Sequence, residues 1–218
     1  MVLINMKREL VIYGAGGLGR EILSLINRDY KNEWETIGFI DDGLKEGTYV
    51  EGLPIFPKSV LVSHGYEKLA VVFGIADPKI KKKIYFEINN IESLVFPKII
   101  SKSAIIDEKA LIEEGTVIAD NCWVSINAKI GSFCLLNVGN VIGHDVKISN
   151  FSSLMPLSSI SGFVEIGECT LVGARSFILQ GLKIEDNCVV GAGCSLFFSL
   201  KEGDTAITSP AHVIKSKN

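Results

Sequence analysis

Residues 139–160 read GNVIGHDVKISNFSSLMPLSSI, with Ile142, Ile148, Leu154 and Ile160 at every sixth place. Extended both ways, the sixfold series runs from Ile100 to Leu196 without an insertion. All seventeen of its positions are Ile, Leu or Val. Two residues before most anchors stands a small side chain: Ala104, Thr116, Cys122, Ala128, Cys134, Ser152, Ser158, Thr170, Ser176, Cys188 and Cys194 among them. Residues two apart on a strand face the same side, so anchor and small residue both point inward, where there is no room for two large side chains. The remaining residues of each hexad turn a corner. Three short strands then make a coil of eighteen residues, and coils stack by sheet hydrogen bonds at roughly 4.8 Å. The pattern predicts a triangular parallel β-solenoid, a β-helix, over residues 98–198. Four of the five cysteines fall in the inward slots and read as core filler rather than as metal ligands or disulfides.

Steps of eighteen separate three faces. The one anchored at 130, 148, 166 and 184 carries Lys129, Lys147, Glu165, Lys183 and Glu185 and reads as solvated. A second, anchored at 136, 154, 172 and 190, shows Leu135, Ser153, Met155 and Leu171. The third, anchored at 124, 142, 160, 178 and 196, shows Trp123, Val141, Phe177 and Phe197. Two apolar or small faces beside one charged face predict that the solenoid packs against copies of itself, as a homotrimer about a three-fold axis.

Ahead of the repeats, residues 9–26 read ELVIYGAGGLGREILSLI. A strand-like run leads into Gly14, Gly16 and Gly19, spaced G-x-G-x-x-G, and then into an apolar helical stripe. Glycines permit the tight turn, and the helix N-terminus that follows suits a phosphate. A second strand, TIGFIDD, ends in Asp41 and Asp42, where an acid can meet a ribose hydroxyl. A further βα unit follows, and the predicted Rossmann-like α/β domain closes near residue 97. It is under a hundred residues and lacks a second mononucleotide half, so the expectation is one nucleotide diphosphate rather than a dinucleotide.

The totals set bounds. A net charge of -3, with no basic run longer than the three lysines at 81–83, speaks against nucleic acid or an anionic membrane as the main partner. No apolar run approaches a membrane span, the N-terminus lacks a signal-peptide pattern, and five cysteines without paired spacing suit a reducing cytoplasm.

With both halves in view, the chain resembles the bacterial sugar acyltransferases of the sialic acid O-acetyltransferase and nucleotide-4-amino-sugar N-acetyltransferase type (NeuD/PglD-like). The carriers are VIYGAGGLGRE, GFIDD, VFPKIISKSAIID, LLNVGNVIGHDVKISNF, SGFVEIG, VVGAGC and SPAHVIK. The resemblance implies a left-handed solenoid, an acetyl-coenzyme A donor, a trimer with sites between subunits, and a nucleotide-sugar acceptor. It makes His144 the catalytic base, Asp145 the acid that orients it, and Asn137 an acceptor contact. Gly14, Gly16, Asp41 and Asp42 match the nucleotide-binding loop and strand end. Gly162, Gly173 and Ala192 match positions lining the coenzyme groove. Two positions depart from the family: Leu18 stands where the loop often has a histidine, and Ser153 where some members have a second one that helps hold the thioester carbonyl.

His144 falls at a corner, with Gly162 one coil on, where the missing side chain leaves space. An imidazole near neutrality beside a carboxylate suits removal of a proton from an attacking amine or hydroxyl, and the Ser153 hydroxyl or a backbone N–H is expected to stabilise the oxyanion. With one histidine on the solenoid, no metal site is expected. His64 reads as a surface loop residue, and Arg175 as either a phosphate contact or a surface charge. In the tail, residues 199–218, Pro210 and Ala211 resemble the family's closing segment, which implies a place near the coenzyme's adenine end, and Lys215 and Lys217 read as candidate phosphate contacts. The reading is acetyl transfer to a nucleotide-linked amino sugar, with O-acetylation of a sugar and a non-catalytic nucleotide-sugar-binding scaffold as alternatives.

Overall fold

The computed structural model of the protein describes residues 7–62 and 68–209. The expectations for His64, Pro210, Ala211, Lys215 and Lys217 lie outside them. The N-terminal unit is built from β1 (Arg8–Tyr13), α1 (Gly17–Asp29), β2 (Trp34–Ile40), β3 (Tyr49–Val50), β4 (Leu53–Phe56), β5 (Leu69–Phe73), α2 (Pro78–Ile88) and β6 (Leu94–Val95). Its six strands lie in the order β3-β4-β2-β1-β5-β6, all parallel apart from the β3–β4 hairpin. The all-apolar core of β1 and β5 fits their central place, where both faces are covered. Asp77 caps α2, its carboxylate accepting from the Lys79 and Ile80 amides, with Pro78 at the first helical position.

From Ile99 onward the chain winds into three parallel sheets of seven, six and five short strands. Each strand pairs with the one eighteen residues away, as in Val117↔Leu135↔Ser153↔Leu171↔Val189. The anchors from Ile118 to Leu196 fill one continuous core. At its far end the register shortens: Val189 pairs with Thr205, and Leu200 bridges to Ile184. The sixfold successor of Leu196 is Glu202, whose charge would be costly to bury, and Leu200 takes the inward place instead. The solenoid therefore continues to Ala206, beyond the expected end at residue 198.

The small inward residues do more than leave room. Thr116, Ser152, Thr170, Ser158 and Ser176 donate their hydroxyls to the carbonyls of Gly131, Gly167, Glu185, Gly173 and Gly191, each fifteen residues on. Cys122 and Cys134 direct their thiols at Asn137 and Ser149 in the same way, and Cys188, at the shortened last coil, at Lys201. Ser, Thr and Cys are thus selected as donors that satisfy inward-turned carbonyls at two corners of each coil. The column behind the third corner is Ala110, Ala128, Val146, Val164 and Leu182, which have no donor to offer. That third corner carries His144.

The two units are docked tightly. Ile22 and Leu25 of α1 pack with Ile99, Val117 and Leu135, and Tyr85 of α2 meets the stacked rings of Phe133 and Phe151. The Arg28 guanidinium reaches Asp120 through both terminal nitrogens, at 2.9 and 2.6 Å, and Asp29 at 2.9 Å. These contacts correct one expectation: the face bearing Leu135 and Ser153 is covered by the N-terminal unit of the same chain. Of the two apolar faces, the one bearing Trp123, Val141 and Phe197 stays exposed.

Candidate active site

His144 stands at the corner after Ile142, and its Nδ1 lies 3.0 Å from Asp145 Oδ2. Asp145 adopts the left-handed region, φ 58°, a conformation that Asp tolerates better than most residues. That turn folds its carboxylate back beside the preceding imidazole. The other oxygen, Oδ1, accepts from the Asn127 amide one coil earlier at 3.1 Å. These two contacts, the His144 one larger, hold the Asp145 carboxyl below the usual carboxylate range. An ionised carboxylate only accepts, which assigns the hydrogen of a neutral ring to Nδ1 and the lone pair to Nε2.

On its other side the ring rests against the next coil. A methyl built at Gly162 would lie 2.4 Å from His144 Cε1 and 2.5 Å from Nε2. The Phe163 ring stands across the imidazole, centroids 4.9 Å apart at 82°. The His144 side chain is 46% exposed. Asn127 and Phe163 were missed as functional candidates, though the eighteen-residue step places both in the Asp145 column.

The other expected residues fall into three places. Asn137 lies in the same coil as His144 but at its opposite corner, and Gly173 stacks two coils further along that corner. A methyl at Gly173 would sit 2.5 Å from the Ala192 amide, so the backbone there is closely layered. Arg175 is exposed nearby. Asn137 lines a cleft of about 320 Å³ between α1 and the solenoid, together with Leu18, Leu25, Val138 and Pro156. His144 does not line it.

The glycine loop forms the third group. Gly14 has φ 105°, a conformation open to glycine, and Gly19 packs against it so closely that a methyl there would lie 1.9 Å from Gly14 O. Gly16 and the adjacent Gly17 face open space, and no side chain caps α1 at Gly16. Asp41 shapes the loop: its Oδ2 accepts from the Ala15 amide at 2.8 Å and its Oδ1 from Gly43 at 2.9 Å. Asp42 is exposed and accepts from the Tyr13 hydroxyl at 3.0 Å.

Ser153 is a correction. It is fully buried, at 0% exposure, beneath the N-terminal unit, and its hydroxyl partners Lys81 Nζ at 3.1 Å. A side chain enclosed by its own chain and facing away from the His144 corner reaches neither a thioester nor an oxyanion. Burial pushes the Lys81 ammonium down to about 8. Among the described residues no cluster of His, Cys, Asp and Glu could hold a metal ion, and no helix is long and apolar enough to cross a membrane.

The glycine-loop α/β unit and the hexapeptide solenoid docked beneath it each have counterparts among known proteins. Residues 9–88 match the PglD N-terminal domain, and residues 164–197 match the hexapeptide repeat of succinyl-transferase. The GDP-perosamine N-acetyltransferase of Escherichia coli O157:H7 is 26% identical over 187 residues, covering 84% of this chain and 82% of that protein. Solved structures share the fold, two of them as follows. WeeI from Acinetobacter baumannii AYE superposes with a TM-score of 0.86 at 24% identity, over 95% of this chain and 100% of its own. The acetyltransferase domain of PglB from Neisseria gonorrhoeae FA1090, in complex with acetyl coenzyme A, gives 0.83 at 23% identity, over 92% and 96%. The resemblance drawn from the motifs therefore holds in both halves of the chain.

Proposed function

We propose that the protein transfers an acetyl group from acetyl-coenzyme A to the amino group of a nucleotide-linked amino sugar, with His144 as general base and Asp145 as the group that orients it. The observation that carries this reading is the 3.0 Å His144–Asp145 contact at an open corner, with Nε2 left as acceptor. The acceptor nitrogen attacks the thioester carbonyl and its proton passes to Nε2. The tetrahedral intermediate then expels the coenzyme thiolate, which takes the proton back from the imidazolium. The uncapped amides at the start of α1, beside the open Gly16 and Gly17, suit the diphosphate of the acceptor. The cleft joining Leu18 to Asn137 leads from that loop onto the solenoid.

The acceptor cleft and the base lie at opposite edges of one apolar face, so a single chain does not bring them together. Trp123 is 49%, Val141 47% and Phe197 64% exposed on that face. A three-fold axis beside it sets the His144 edge of one copy against the Asn137 edge of the next, and the homotrimer completes three sites. Gly162 on one edge, with Gly173 and Ala192 on the other, would line the groove for the pantetheine arm. The donor–acceptor chemistry also agrees with the Escherichia coli relative, a GDP-perosamine N-acetyltransferase. The test is release of coenzyme A from acetyl-coenzyme A against a panel of nucleotide-linked amino sugars and their hydroxyl analogues. Release with the amines and not with the hydroxyl analogues is the expected result; silence with every acceptor sinks the reading.

A further inference from the structure

We propose that Phe163 is a positioning residue for His144: its ring forms the wall that fixes the direction of the imidazole over the bare surface of Gly162. This rests on the reading of His144 as base. Gly162 gives the imidazole room, but it also removes a side chain that would otherwise limit its tilt. The Nδ1–Asp145 bond fixes one edge of the ring and leaves rotation about that contact. Phe163 supplies the remaining constraint, standing at 82° to the imidazole with centroids 4.9 Å apart. Perpendicular packing of this kind sets the positive edge of one ring against the negative face of the other and has a preferred orientation. The backbone ties the same two residues together, since the Phe163 amide donates to His144 O at 3.0 Å.

Among the phenylalanines at left-handed corners, Phe163 stands apart. Phe133 and Phe151 occupy the same left-handed corner conformation, with φ 58° and 62°, and both are buried beneath α2. Their size is explained by the docking of the N-terminal unit. Phe163, at φ 58°, has no such cover from its own chain and is 53% exposed. A large apolar ring held in the left-handed region is unfavourable both locally and toward solvent. Asn127 steadies Asp145 from the coil before; Phe163 steadies His144 from the coil after.

The experiment compares Phe163→Ala, Phe163→Tyr, His144→Ala and the His144→Ala/Phe163→Ala double variant, with the best acceptor from the panel. Phe163→Ala is expected to lower kcat by roughly 3–10-fold, the scale of one aromatic pair, with both KM values unchanged. Phe163→Tyr should restore the rate. In the His144→Ala background the second substitution should cost nothing further, because the coupling runs through the ring. A crystal structure of Phe163→Ala should show the imidazole spread over more than one rotamer. A raised KM at unchanged kcat, an additive loss in the double variant, or an unmoved single rotamer each overturns the proposal. Wild-type turnover by His144→Ala would instead strike the reading of the base. An inactive His144→Ala beside a fully active Phe163→Ala would strike this inference alone.

Discussion

The imidazole of His144 occupies the space that a side chain on Gly162 would need: a methyl there would come within 2.4 Å of Cε1. These residues are eighteen apart in sequence and adjacent in the stack. The place of the imidazole is therefore shaped by the absence of an atom one coil away.

Gly162→Ala should consequently be a catalytic lesion with little effect on the fold. The added methyl pushes the ring off Asp145, and a displacement near 1 Å costs on the order of 10²-fold in rate. The check is turnover alongside a thermal melt of the same preparation. A variant with normal turnover would place the reactive ring elsewhere.

His144→Ala should lower turnover by roughly 10²–10⁴-fold, while coenzyme binding, followed by calorimetry, and the assembled state are retained. Asp145→Asn should lower it less, because the ring remains in place and loses only the fixed tautomer. Asp145 itself stays ionised through neutrality, since its folded value is depressed. Its support for the ring is lost as pH falls through that value.

Trp123→Glu is expected to break the assembly. A carboxylate in the middle of a desolvated interface is unpaired, and three copies would be introduced at once. Light scattering should move from trimer to monomer, and activity should fall with it under the proposed site shared between two copies. A Trp123→Glu protein that is still trimeric would exclude this face as the interface.

Lys81→Met isolates a pH effect on stability. Burial lowers the folded value of Lys81 from 10.5 to about 8. Between about pH 8 and 10.5 the unfolded chain therefore binds more protons at this site, and its contribution makes stability rise with pH. The buried thiols oppose it: Cys122 and Cys134, pushed up to about 11 and 12, lose their stabilising contribution as pH climbs past 9. The difference between wild type and Lys81→Met in denaturant midpoints removes the Cys122 contribution and leaves, for Cys134, only its Coulombic coupling to Lys81. That difference should shift in favour of wild type across the window; a constant difference would mean that the ammonium is not enclosed.

Gly19→Ala should destabilise the N-terminal unit by about 1–3 kcal/mol, since the methyl meets the Gly14 carbonyl at 1.9 Å and neither backbone segment can yield cheaply. Gly17→Ala faces open space and should leave the melt unchanged. The pair separates the packing glycine from the glycines left free for a ligand.

The sequence by itself determined the solenoid, its three faces, the corner position of His144 and the open neighbour at Gly162. All of these follow from short-range geometry: alternation within a strand, a turn every sixth residue, and stacking every eighteenth. The closing coil escaped the period because Glu202 falls on an inward place and the register shifts to bury Leu200. The hydroxyl and thiol donors were visible as small residues, but their partners fifteen residues on required the closed coil. Only the tertiary structure decided which apolar face stays open, since Leu135 and Ser153 are covered by helices from the other unit. That docking also enclosed Ser153 against Lys81, and the stacking of coils set Phe163 across His144. Period is written locally in the chain, whereas the fit of one surface on another depends on side chains that meet only after both units have folded.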